Sequence, residues 1–205
     1  MTEAATPRVI LASASRTRRS MLSAAGLVFE VVPSGVDERA IRDAMSVDSP
    51  AVDPADLADV LARAKAEEVS RRQPDAVVIG ADQVLDLDGD VLTKAPDLDA
   101  VRETLLRLRG KTHELHSAVA VAERGAATWA FVDTAHLTMR QFSTEFLGQY
   151  MAHVGSVALE SVGGYQIEGL GIQLFERIDG DYFTVLGVPL LPLLEELRSR
   201  RVIVT

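Results

Sequence analysis

The run Ala76-Val77-Val78-Ile79, followed at once by Gly80-Ala81-Asp82, constrains the fold more than any other stretch of this chain. A continuous β-branched run without polar alternation suits a strand covered on both faces, as in sheets flanked by helices on either side. The segment before it reads as a helix: from Ala55 to Gln73, Leu57, Val60, Leu61, Ala64 and Val69 recur at helical spacing, with Pro54 suited to the first turn. Further upstream, Arg8 to Ala12 reads as a short buried strand running into Ser13-Ala14-Ser15, which can cap a helix over Arg16 to Ala25 with Gly26 as its stop. Val28 to Val32 is the next expected strand, closed by Pro33-Ser34-Gly35, and Ser46 to Pro54 reads as a loop.

The second half changes character. Asp88-Gly89 marks a hairpin between Val84–Leu87 and Asp90–Leu92, and Asp97 to Arg109 reads as a helix stopped by Gly110. Thr112–Ala122 and Thr128–Met139 then form two long strands around Glu123-Arg124-Gly125. Ser143 caps a helix to about His153, Val162 to Gly171 is a glycine-rich loop, and Pro189 opens a last helix ending in Arg198 to Arg201. The fold class expected is mixed α/β with much antiparallel pairing in the second half.

Charge and composition exclude several functions. With 21 Lys plus Arg against 30 Asp plus Glu, the formal charge of -9 leaves no broad basic face for a nucleic-acid polymer. A pocket for a small anion needs only a few cations at one place. The chain has no Cys, which removes thiolate nucleophiles, disulfides and cysteine-ligated metals. Met1 to Pro7 lacks the regions of a signal peptide and no apolar run reaches a membrane span of about 20 residues, so the expectation is a cytoplasmic chain with no membrane partner.

Several clusters could carry chemistry. Ser13, Ser15, Arg16, Arg18 and Arg19 bring hydroxyls and guanidinium groups to a helix N-terminus, where free N–H groups and the helix dipole suit phosphate; the same residues also read as a cap and a solvated basic turn. Asp37-Glu38 follows a turn, where carboxylates either hold a divalent metal or are simply solvated. Asp82 follows an apolar strand, at the position where open α/β sheets bind ligands, and reads equally as a loop-capping residue. Only Lys65, Lys94 and Lys111 are lysines against eighteen arginines, which singles out Lys65 and Lys94 as compact charges for phosphate. His113-Glu114-Leu115-His116 has the wrong spacing for the zinc-protease helix motif, and on a strand its two imidazoles face opposite sides. Gln166 and Glu168, in the glycine-rich loop, either read the edge of a flat base or decorate a turn.

Taken in order, Leu11-Ala-Ser-Ala-Ser-Arg-Thr-Arg-Arg19, Val36-Asp37-Glu38, Ala64-Lys65-Ala66, Ile79-Gly80-Ala81-Asp82-Gln83-Val84, Leu92-Thr93-Lys94, Gly110-Lys111-Thr112-His113 and Gly164-Tyr165-Gln166-Ile167-Glu168-Gly169 resemble the Maf family of nucleoside triphosphate pyrophosphatases. The resemblance covers nearly the whole chain. It implies one Maf-like domain over residues 1–205, a Maf/ITPase-like mixed sheet whose two lobes flank a deep nucleotide-binding cleft, and a homodimer. It implies hydrolysis between the α and β phosphates of a nucleoside triphosphate, giving a monophosphate and pyrophosphate, with a divalent metal, Mg or Mn. Carried over by motif, Ser13, Ser15, Arg18, Lys65 and Lys94 hold the phosphates, Glu38 and Asp82 hold metal, and Asp82 is the general base. Thr17, Gln83 and Glu168 fall at the base-reading positions, where Gln and Glu resemble the 7-methyl-GTP branch. The alternatives are a dTTP/UTP-type pyrophosphatase of the same family and a non-catalytic nucleotide-binding regulator of cell division. Arg16 stands where a Pro is common, and Thr93 and Ala95 replace the usual Gly and Pro around Lys94.

Overall fold

The structure, a computed structural model, describes residues 7–48 and 52–204. Residues 1–6 of the expected leaderless start Met1 to Pro7, residues 49–51 of the expected loop Ser46 to Pro54, and residue 205 of the expected domain lie outside the described residues. Among the described residues, seven strands make up its sheet: β1 (Arg8–Leu11), β2 (Glu30–Val31), β3 (Ala76–Leu87), β4 (Asp90–Leu92), β5 (Thr112–Glu123), β6 (Ala126–Met139) and β7 (Phe175–Asp179). They run in the order β2-β1-β3-β5-β6-β7, with β4 paired to β3 off this path. β1 is parallel to β2 and β3, and every other pair is antiparallel, so the sheet is mixed and β3 is where its two halves meet.

The β-branched run extends well beyond its apolar part, for β3 is one strand of 12 residues. Asp82 therefore lies within a strand instead of following one, and the hairpin strand expected from Val84 is the continuation of β3. The turns behave as their residues require: Asp88 and Gly89, and Arg124 and Gly125, all adopt positive φ, as a two-residue hairpin turn demands. The strand expected over Val28–Val32 shrinks to Glu30–Val31, because only these residues pair with β1, and Val28 is 91% exposed with nothing to bury it.

The helices are α1 (Arg16–Ala24), α2 (Glu38–Asp48), α3 (Pro54–Arg72), α4 (Leu98–Leu108), α5 (Thr144–Val154), α6 (Tyr182–Val185) and α7 (Leu190–Ser199), with 3-10 turns at Gly155–Glu160 and Leu170–Leu174. The side chains of Ser15, Asp53, Asp97 and Ser143 cap α1, α3, α4 and α5 by accepting from first-turn amides, which is why each helix begins where it does. The loop expected from Ser46 begins inside α2, which runs to Asp48.

Alternation along the strands assigns the two faces of the sheet. One face carries α3, whose Leu57, Leu61 and Ala66 meet Val84, Ala118 and Ala120. The other face holds two separate cores. α1 and α7 bury Leu22, Leu193 and Leu197 against Leu11, Ile79 and Val121, while α4 and α5 bury Leu105, Leu108 and Tyr150 against Leu85, Leu115 and Leu137. These two cores are the two lobes.

Between them β3 is bare along one edge. β1 pairs with it only as far as Ile79, and β4 only from Leu85, so residues 80–84 have β5 on one side and, among the described residues, no strand on the other. Gly80 lets α3 approach closely just there: a Cβ on it would sit 2.3 Å from the Ala62 carbonyl oxygen and 2.7 Å from the Ala66 nitrogen.

Candidate functional site

The gap beside residues 80–84 opens into a cleft of about 1030 Å³, lined from both lobes. Its floor is an arrangement of three charges. Lys65, 8% exposed on α3, places Nζ 2.5 Å from Asp82 Oδ1 and 2.7 Å from Glu38 Oε1. Asp82 reaches α3 because it shares a face of β3 with Val84, and Glu38 arrives as the first residue of α2. Asp37 is turned away to cap that helix, its Oδ1 accepting from the Ala40 amide, which separates the roles of the two adjacent acids.

The two carboxylates differ electrostatically. Burial pushes the Asp82 carboxyl up, against the opposing pull of Lys65 and Arg18. At Glu38 desolvation also pushes upward, but the hydrogen bond and charge of Lys65, then the charges of Lys94 and Arg18, hold it below the usual carboxylate range. One acid is thus primed to take a proton while its neighbour stays ionised. Both converge on one cation, the geometry that a divalent metal also demands of oxygen donors.

The wall facing Asp82 is the N-terminus of α1. Ser13 Oγ accepts from the Ser15 amide and from Arg18 Nη1, each at 3.3 Å, and Ser15 Oγ accepts from the Arg18 amide at 3.3 Å. First-turn amides have no intrahelical acceptor, so Arg16 and Thr17, both lining the cleft, can offer theirs to a ligand. Arg18 does more than face the cleft: Nη1 donates to the Ala81 carbonyl at 2.8 Å and Nε to the Gly187 carbonyl at 3.0 Å, so it occupies the bare edge of β3 and ties it to the loop before α7. Lys94, just beyond β4, lines the cleft opposite.

The far end is built from the glycine-rich loop. Glu168 accepts from Thr17 Oγ1 at 3.2 Å, joining loop to helix. Gln83, on the face of β3 opposite Asp82, donates through Nε2 to Ser117 Oγ at 2.9 Å and to the carbonyls of Thr184 and Val185 at 3.2 and 3.0 Å. Those carbonyls can only accept, which fixes the amide orientation and leaves the Gln83 carbonyl oxygen as the end available to a ligand. The loop is anchored from behind by Tyr165, whose hydroxyl lies 2.6 Å from His113 Nε2, and by Tyr150, which donates to the Gly164 carbonyl at 2.9 Å. His113 is therefore a core residue; burial holds its imidazole down at about 4.

All ten residues singled out for the site, Ser13, Ser15, Thr17, Arg18, Glu38, Lys65, Asp82, Gln83, Lys94 and Glu168, line this one cleft. Sequence reasoning missed others that line it. Arg39, Arg42 and Asp43 come from α2, whose signal was present in the capping Asp37 and in Ile41 and Met45, four residues apart. Arg16 and Glu160 pair across the mouth, Nε donating to Oε2 at 3.1 Å with Nη2 against Oε1.

A mixed α/β sheet with a carboxylate-lined, cation-studded cleft between two lobes defines a protein built to hold a small polyanion beside a buried acid. Comparison with known proteins narrows this class. The chain belongs to the Maf-like protein family, whose model matches residues 8–200. It is 49% identical over 198 residues to a 7-methyl-GTP pyrophosphatase of Brucella abortus biovar 1, covering 97% of this chain and 98% of that one. It is 53% identical over 194 residues, 95% and 96% of the two chains, to a 7-methyl-GTP pyrophosphatase of Mesorhizobium japonicum. A nucleoside triphosphate pyrophosphatase of Granulibacter bethesdensis is 49% identical over 194 residues, covering 95% and 98%.

Proposed function

We propose that this protein hydrolyses the α–β phosphoanhydride of a nucleoside triphosphate, 7-methyl-GTP foremost, to the nucleoside monophosphate and pyrophosphate. The observation that carries the reading is the convergence of Glu38, Lys65 and Asp82 on the cleft floor, opposite the open amides of α1. The names of its relatives in the family support the same chemistry.

In this reading the triphosphate lies between α1 and the segment after β4, with Ser13, Ser15, the α1 amides, Arg18, Lys65 and Lys94 as its donors and counter-charges. Asp82 orients a water for in-line attack on the α-phosphorus and takes its proton, for which an upward-shifted carboxyl is suited. Lys65 holds one oxygen of that carboxylate and leaves the other for the water. Glu38 and Asp82 would hold a divalent cation, Mg or Mn, through the carboxylate oxygens not taken by Lys65, hard anionic donors brought together on the cleft floor. Such an ion, when bound, neutralises charge that develops on the phosphoryl oxygens.

The base preference rests on acceptors. Glu168 and the Gln83 carbonyl present acceptors to the base end of the cleft, and a guanine edge, rich in N–H donors, matches them better than a pyrimidine edge rich in carbonyls. N7-methylation makes the purine cationic, which the Glu168 carboxylate favours further. Among the described residues no helix is long and apolar enough to cross a membrane. A cytoplasmic homodimer is part of the same proposal.

The test is pyrophosphate release from 7-methyl-GTP, GTP, UTP, dTTP and 5-methyl-UTP with Mg and then Mn. Fastest release from 7-methyl-GTP is expected. Faster release from the pyrimidines would keep the reaction and overturn the base assignment, and tight binding without release from any of them would make the protein a nucleotide-binding regulator.

A further inference from the structure

On the α3 face of the sheet, beyond the end of the cleft, three potential metal ligands meet that the proposed reaction does not use. Asp86 of β3 and Glu114 of β5 are direct partners in the β3–β5 ladder, and His116 stands two residues along from Glu114. One ligand atom from each of the three lies within 4.8 Å of the other two. We propose that Asp86, Glu114 and His116 form a second divalent-metal site, separate from the cleft, that takes zinc.

Like charges directly opposite across a ladder repel, so an Asp–Glu pair at this register calls for a cation between them. Among the described residues no Lys or Arg acts on Asp86: beyond burial, Glu114 and Asp88 push its carboxyl up, while a hydrogen bond from the Gly89 amide and the nearby His116 pull it down. Burial and, secondarily, Glu114 push the Asp86 carboxyl upward, and its buried Oδ1 has no hydrogen-bond partner among the described residues.

The imidazole is the independent observation. His116 is only 7% exposed, its Nδ1 lies 2.9 Å from Thr134 Oγ1, and its Nε2 is buried without a hydrogen-bond partner. Nε2 sits 3.2 Å from Glu114 Oε2 but outside hydrogen-bonding geometry. In the tautomer whose Nδ1–H donates to Thr134, Nε2 would carry a lone pair aimed among the carboxylate oxygens, and a metal ion there would satisfy both, with Thr134 as the second contact typical of a metal-bound histidine. On the other side His136 Nε2 lies 3.4 Å from Glu114 Oε1 and orients that carboxylate.

Two carboxylates and one imidazole suit zinc, with a fourth position left for water. Tetrahedral ligands about 2.1 Å from zinc stand roughly 3.4 Å apart, a closure that side-chain rotation can supply from the present spacing. The site is four residues along β3 from Asp82, about 13 Å at strand spacing, so it is not part of the proposed cleft metal site. Its effect would be to fasten β3 to β5 beside the hairpin that leads to Lys94.

Zinc titration of the full chain by calorimetry after chelator treatment tests this, with the variant Glu38→Gln/Asp82→Asn removing the cleft carboxylates. That variant is expected to retain one zinc equivalent, with binding about tenfold weaker or worse when His116→Gln or Glu114→Gln is added. The Glu114→Gln change removes a partly exposed carboxylate, so it keeps the test valid if the His116 variant fails to fold. Loss of all zinc from the cleft variant, or undiminished binding in the Glu114→Gln background, would overturn the proposal. Neither outcome touches the reading of the cleft, which pyrophosphate release tests separately.

Discussion

Asp82 is held in tension by its surroundings: burial favours its neutral form and Lys65 and Arg18 favour its charge. If it is the base, pyrophosphate release falls as pH drops through a pKa raised above the ordinary carboxylate range, while Glu38, shifted the other way, stays ionised across the same window. A rate independent of pH down to the ordinary Asp range would remove it from that role. Asp82→Asn is expected to lower kcat by about 10²–10⁴-fold while nucleotide binding, measured by calorimetry, is kept or tightened, since a negative charge leaves the floor. Glu168→Gln acts elsewhere. It should narrow the preference for 7-methyl-GTP over GTP with little change in kcat for GTP, and an unchanged ranking in the substrate panel would contradict the assignment of the base end. Much of this chemistry could be read from the sequence because acids, lysines and hydroxyls stood at strand and helix ends. Their pairings could not: Lys65 and Asp82 meet only because α3 crosses β3 at Gly80, and Arg16 and Glu160 meet from opposite lobes.

Among elements, α3 and β3 form the joint on which the floor depends. Gly80→Ala would drive a Cβ into the backbone of Ala62 and Ala66, which cannot rotate aside, so helix and strand must separate. A loss of about 1–3 kcal/mol is expected, at roughly 2–4 °C of Tm per kcal/mol, together with a loss of activity as Lys65 withdraws from Asp82. Unchanged melting and turnover would show that the crossing is not close. The capped helices and both glycine hairpins were legible because each has a local chemical cause, a side-chain oxygen or a positive φ. α2 was passed over because Asp37 was weighed as a ligand and not as a cap. β7 is a half-exposed edge strand rich in charge, and α6 is four residues capped by Asp181, too short for any periodicity to show. Of the second cluster, Glu114 and His116 read in the sequence only against a helical zinc motif, which their spacing sets aside; their meeting with Asp86 exists only in the register between strands.

Over the whole molecule, two cores share one face of the sheet, and the glycine-rich loop belongs to the core that contains Tyr165, the partner of His113. A buried imidazole held down at about 4 binds a proton more weakly when folded than its ordinary 6.5. The unfolded chain therefore takes up protons first, and stability that is complete above about 6.5 is lost as pH falls toward 4, on the order of 3 kcal/mol in all. His113→Phe should flatten that part of the Tm-against-pH curve, and a slope matching the parent would assign the effect to other groups. β3 has a consequence for how the molecule moves. Asp82 rides on a long strand, hydrogen-bonded to β5 along its length, whereas Glu38, Lys94 and Glu168 sit on a helix end, a segment beyond a hairpin, and a loop. Amide hydrogens around Asp82 should therefore be among the last to exchange with deuterium and those around Lys94 and Glu168 among the first. On the proposed reading, the proton acceptor would stay still while the groups that grip and sort the nucleotide are free to breathe.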